Sequence, residues 1–180
     1  GHALNQVIKL GLLLRREIVP ISCSCTLRNP PAKHLLEPTQ RCRGFLFCAL
    51  GAVAAYILGA HEVVLLESGL GIYAPPPMAG MAVAGRSTKN THPHFLRQMS
   101  RLVSYVFSQE LRFVTPNRGL TKAELVRSAD CPEARGLLAN DSVSCSHYPQ
   151  REPGGAKQCG TCFACILRRQ SMMAAGIPEP

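Results

Sequence analysis

The chain has no tryptophan, and aromatic residues fill only 6% of its 180 positions. It therefore offers few flat side chains on which unpaired bases would stack, which argues against a general single-strand binder. Acidic residues are scarce too: 11 Asp+Glu stand against 20 Lys+Arg, a formal charge of +9. That balance favours anionic partners, nucleotides or nucleic acid, without choosing between them, because the basic residues are scattered along the sequence rather than clustered. Charged residues of both signs reach only 17%, while apolar residues reach 46%. Such a composition is not that of a disordered chain, and it can supply a core for one ordinary domain. There is no internal repeat, no low-complexity tract and no Ser-His-Asp arrangement worth defending. A secretory signal is also missing, since Lys9, Arg15 and Arg16 interrupt the first apolar stretch. Nine cysteines is an odd number for a secreted disulfide scaffold, so the thiols are read as reduced and the protein as cytoplasmic.

Apolar periodicity predicts a helix over 4–16, weakened by Gly11, and a short strand over 18–25, with Pro20 at its start or at a bulge. Residues 26–40 carry Asn29-Pro30-Pro31 and Glu37-Pro38 and read as a loop. The uncharged run 44–60 has two readings, a membrane span or a helix buried against a sheet. The buried helix is preferred, and no membrane association is expected, because the run leads straight into the strand-like 62–67. Helix, short turn and β-branched strand is the rhythm of a parallel α/β sheet. A long Gly- and Pro-rich loop then extends to Gly85, at the strand end where open α/β sheets carry ligands. Residues 93–107 form a helix with Pro93 in its first turn, and 111–115 another strand. Thr121 caps a helix over 122–129, with Glu124 as its capping-box partner.

The strongest local signal is Cys145-x13-Cys159-x2-Cys162-x2-Cys165. Three sulfurs can converge from one tight loop and the fourth returns from upstream, giving the closed tetrahedral shell of structural zinc. Gly154, Gly155 and Gly160 supply backbone freedom, and Lys157, Arg168 and Arg169 can offset the charge of −2 on such a shell. Two other readings share part of the spacing: a redox C-x-x-C, which leaves two cysteines unexplained, and an iron–sulfur loop. His147 is an alternative to Cys145 as a ligand. Cys23, Cys25, Cys42, Cys48 and Cys131 are read as ordinary buried or loop thiols.

The tail 159–180 (CGTCFACILRRQSMMAAGIPEP) resembles the end of the 7-cyano-7-deazaguanine synthase family, in the ATP-pyrophosphatase or PP-loop superfamily. Further matches are Arg41-Cys42-Arg43 leading a helix, Thr121-Lys122-Ala123-Glu124-Leu125-Val126, and Ser144-Cys145. The segment 67–77 (ESGLGIYAPPP), with Arg86-Ser87-Thr88 and Thr91-His92-Pro93, looks closest to an atypical branch associated with anti-phage defence. The resemblance spans roughly residues 41–180. It implies a Rossmann-like parallel-sheet domain of the adenine nucleotide alpha hydrolase kind over 1–130, with a zinc-binding region over 131–180. It further implies ATP and Mg²⁺ as cofactors of the full-length enzyme, and a deazapurine-type small molecule of the queuosine route as substrate. The implied chemistry is carboxylate adenylation followed by attack of ammonia.

The family's S-G-G-x-D-S pyrophosphate loop is not found in these 180 residues, and no G-x-x-x-x-G-K-[ST] replaces it. The expectation is a chain that begins after that loop or has lost the ATP site, and that does not catalyse the reaction alone. By its motif match Lys122 is the catalytic or phosphate-contacting candidate, though a lysine in a helix's first turn needs no function. Arg43, Glu67, Arg86 and His92 are the candidates for binding nucleotide or substrate. Each has an ordinary alternative, as interfacial arginine, solvated strand-end carboxylate or exposed loop residue. A second class of function is a non-catalytic, zinc-stabilised basic module that recognises nucleic acid or a partner protein. Exposed apolar surface on a partial domain would favour a homodimer.

Overall fold

The computed structural model describes residues 2–15, 17–23, 43–73, 90–129, 131–145 and 158–178. They form two compact units, one of Ile21–Gly119 and one of Gly1–Pro20 with Leu120–Pro180.

The first unit is α/β. Helix α1 (His2–Leu14) belongs to the other unit, and the first described helix of this one is α2 (Arg43–Ile57), which buries Gly44, Cys48, Ala52 and Ala55. Those positions recur every three or four residues and make one stripe. The small side chains let the helix lie close to strand β1 (Glu62–Val64) and to helix α4 (Pro93–Phe107). The remaining face of α2 is also apolar, and Phe47 and Ile57 are 61% and 75% exposed. Among the described residues no helix is long and apolar enough to cross a membrane. A short helix α3 (Gly69–Tyr73) follows β1 inside the stretch expected to be a loop.

Strand β1 pairs in parallel with β2 (Arg112–Val114), with Val63 opposite Phe113. Parallel neighbours require a long crossover, and α4 supplies it. Its buried residues Leu96, Met99 and Val103 meet Leu111 and Phe113 in the core. The N–H groups of β2 alternate in direction. Arg112 N donates to His61 O at 2.9 Å, towards β1. Leu111 N and Phe113 N point the other way and donate to Ser104 Oγ and Ser100 Oγ of α4 at 2.9 and 3.0 Å. The two serines thus satisfy donors that an outer strand would otherwise take.

The second unit is helical. It contains α1 (His2–Leu14), α5 (Lys122–Arg127), α6 (Pro132–Asn140) and α7 (Phe163–Ala174). Helix α1 packs on α6, where Lys9 Nζ lies 3.0 Å from Asp141. Helix α5 packs on α7 through Val126, Met172 and Ile177. Its capping box forms as the sequence predicts: Thr121 Oγ1 accepts from Glu124 N at 3.2 Å, and Thr121 N donates to the Glu124 carboxylate at 2.7 Å. The strand expected over 18–25 is not formed by its described part; residues 17–23 are irregular and exposed. Pro20 lacks a ladder donor, and no described strand lies beside the segment to pair with it.

Candidate metal centre and strand-end cleft

The chain turns sharply at Cys159-Gly160-Thr161-Cys162. Gly160 has φ of 75°, a backbone conformation that favours glycine. That turn aims Cys162 N at Cys159 Sγ, 3.4 Å away. Cys162 is the N-cap of α7, and its Sγ accepts from Cys165 N at 3.4 Å. Thr161 Oγ1 donates a further bond to Cys159 Sγ at 3.5 Å. Backbone donors and the positive end of a helix both favour sulfur as thiolate.

Cys145 comes in from the segment after α6, and the four sulfurs of Cys145, Cys159, Cys162 and Cys165 all lie within 4.8 Å of one another. The Cys159 and Cys165 sulfurs are 3.9 Å apart. A tetrahedron of thiolates about 2.3 Å from a central zinc has edges of about 3.8 Å. The separation fits ligands of a single ion and is far beyond a disulfide bond of about 2.05 Å. Cys165 is buried, and burial pushes its thiol up to about 12, with donation from Gly160 N opposing and the three neighbouring sulfurs adding to the rise. It donates to Gln158 Oε1 at 3.4 Å, while Gln158 Nε2 holds Ser142 O at 3.2 Å. A cation at the centre would replace thiol protons, so its binding would release them.

The helices around the cluster are tied by arginines. Arg168 is 5% exposed, and its guanidinium donates to Leu138 O and Ala139 O at 2.8 and 2.9 Å and to Ser142 Oγ. It therefore closes the C-terminal end of α6, where orphan carbonyls and the helix dipole favour a cation. Arg127 does the same for α7 through Ala174 O. Arg169 reaches the knuckle instead, with Nη2 3.8 Å from where a Cβ on Gly160 would stand. Arg168 therefore has a structural task that the charge-offset reading missed. Cys131 has one as well: its Sγ caps α6 by accepting from Ala134 N at 3.4 Å. The only sequence signal for that cap was its place just before Pro132. Lys157 and His147 lie outside the described residues.

In the α/β unit a cleft of about 630 Å³ opens at the carboxyl end of β1. Arg43 and Glu67, far apart in sequence, both line it, together with Asn90 and Thr91. Gly44 permits this arrangement, because a Cβ there would collide with the Asn90 side chain. Thr91 Oγ1 donates to Gly71 O at 3.3 Å and ties the far wall to α3. Neither Asn90 nor Thr91 stood out in the sequence as a site residue. His92 is the N-cap of α4, its Nδ1 accepting from His94 N at 3.2 Å, and its ring stands edge-on to Tyr73 at 6.2 Å. Lys122 occupies the first turn of α5 in the helical unit. Arg86 lies outside the described residues.

The family model described as queuosine biosynthesis protein QueC matches residues 89–176. The 7-cyano-7-deazaguanine synthase of Anaeromyxobacter sp. (strain Fw109-5) is 29% identical over 143 residues, 77% of this chain and 52% of that protein. The synthase of Thiobacillus denitrificans is 25% identical over 185 aligned residues, covering 100% of this chain and 74% of its own length. That of Gloeobacter violaceus is 29% identical over 187, covering 100% and 71%. The chain thus spans about half of the first relative and under three-quarters of the other two. The chain is thus similar to the QueC family over residues 89–176 and to these synthases along its length.

Proposed function

We propose that the chain is part of a 7-cyano-7-deazaguanine synthase-like, ATP-dependent ligase, and that Cys145, Cys159, Cys162 and Cys165 hold one structural zinc. The convergence of four sulfurs within 4.8 Å, in a chain that matches the QueC model, carries the reading. Four thiolates leave no open position, so the ion would brace the knuckle and α7 rather than activate water. A multi-iron cluster would interpose metal and sulfide between its cysteines and hold them farther apart.

On this reading the β1–α4–β2 crossover is a portion of a Rossmann-like parallel sheet. The cleft at the end of β1 is then where the deazapurine carboxylic acid sits. Glu67 can accept from the N–H edge of a purine-like base, and Arg43 can attract a carboxylate or phosphate. ATP with Mg²⁺ would supply the adenylyl group that activates the carboxylate, with pyrophosphate as leaving group, and Lys122 would steady developing phosphate charge in the full-length enzyme. The test is pyrophosphate release from ATP with 7-carboxy-7-deazaguanine, measured on this chain and on the protein with any upstream sequence it has in its genome. Acid-dependent release by the longer protein is expected. No release from either with any deazapurine carboxylate would overturn the ligase reading.

A further inference from the structure

A second groove, apart from the metal centre and from the cleft at the end of β1, runs between α4 and β2. It encloses about 610 Å³. Arg97 and Arg101 line it from α4, Arg112 from β2, and Arg118 from the turn after β2. Arg97 and Arg101 are four residues apart, so one helical turn of about 5.4 Å separates them on the same face. The turn carrying Arg118 is closed by Arg118 N donating to Thr115 O at 3.4 Å. Among the described residues the groove's lining contains no Asp or Glu. Arg112 is partly engaged, 3.1 Å from Glu62 and 3.7 Å from Glu110. Among the described residues no carboxylate pairs with Arg97, Arg101 or Arg118. All four arginines are exposed.

Like charges gathered in one groove repel, and a bound polyanion would remove that cost. We infer that this groove binds the phosphodiester backbone of a nucleic acid. Two features favour a backbone over a free nucleotide. None of the described lining residues is a carboxylate that could hold the Mg²⁺ accompanying a nucleotide polyphosphate. The lone aromatic among the described lining residues, Phe113, is buried in the core and cannot stack on a base. Arginines and hydroxyls without base-reading groups position a strand by its phosphates and read no sequence. Ser100 and Thr115 supply the hydroxyls.

The test uses the whole chain, a fluorescein-labelled mixed-sequence DNA duplex, and tripolyphosphate and ATP as competitors. Fluorescence anisotropy is followed across a salt series. The R97Q/R101Q variant is compared with K9Q/R15Q, which loses the same charge from the other unit. Binding that steepens at low salt is expected, with affinity falling at least about ten-fold in R97Q/R101Q. The slope of log K against log salt should flatten by about 2 in that variant, and hardly change in K9Q/R15Q. Circular dichroism of the two variants should match that of the parent. Equal loss in both variants, or none in R97Q/R101Q, would overturn the assignment. Saturable binding of tripolyphosphate or ATP without duplex binding would overturn it too, by making the groove a small-anion site.

Discussion

The two units are held together by different means. Among the described residues the α/β unit has an apolar core of eight buried residues, from Cys48 and Ala52 through Leu96, Met99 and Val103 to Leu111 and Phe113. Among the described residues the helical unit has a smaller buried apolar cluster, Val126, Met172 and Ile177, and it adds buried Arg168 and Ser171 and the four cysteines. A small core rarely sustains a fold alone, and metal ligation is one of the usual supplements. The contrast teaches that one unit is stabilised chiefly by excluding water. The other depends on polar ties and on whatever its sulfurs hold.

The largest expected effect breaks this contrast outright. Structural zinc contributes on the order of 10 kcal/mol of apparent binding free energy in small domains. Chelation, or Cys162→Ser, should collapse amide protection in α7 and the knuckle while α4 and β2 keep theirs, as read by hydrogen exchange. Equal loss in both units would erase the distinction. Acid should act in the same direction as chelation: thiols regain their protons as pH falls, so metal should be retained at neutral pH and released progressively below it. Metal content after dialysis at stepped pH checks the sign.

Next comes Leu111→Ala, which empties a fully buried position of the α/β core and should cost about 2–5 kcal/mol. Metal content should stay unchanged, in contrast to Cys162→Ser. Arg168→Met should cost about 2 kcal/mol by leaving the α6 carbonyls without their charged donor, and hydrogen exchange should localise the loss to the second half of α6. Thr121→Ala should cost about 1 kcal/mol through loss of the α5 cap. The bonds from Thr121 hold the Glu124 carboxyl below its ordinary value. Its contribution is therefore complete at neutral pH and is lost as pH falls through that lowered value. Urea titrations of parent and Thr121→Ala should differ less at acid pH than at neutral pH, the gap narrowing by the part that the Thr121 Oγ1–Glu124 bond contributes.

Legibility in the sequence followed how local each feature is. The knuckle was readable because Cys159, Cys162 and Cys165 sit within seven residues, and their spacing alone dictates convergence. The capping box at Thr121 and Glu124 was readable for the same reason. Helix α6 went unnoticed because it is short and has no fully buried side chain, so periodicity offered nothing to count. The strand expected over 18–25 shows the reverse error, in which β-branched residues suggest a strand that tertiary partners do not complete. The arginine groove was illegible for a topological reason. Arg97, Arg101, Arg112 and Arg118 looked scattered along the chain, and only the parallel crossover brings helix and strand together to collect them. Arg43 and Glu67 line one cleft because α2 packs on β1.

The four-sulfur centre is the claim on which the most rests, and elemental analysis of the purified chain tests it most directly. Inductively coupled plasma mass spectrometry should give about one zinc per chain for the parent and a large loss for Cys162→Ser. Iron in place of zinc, or a metal content that Cys162→Ser leaves unchanged, would contradict it.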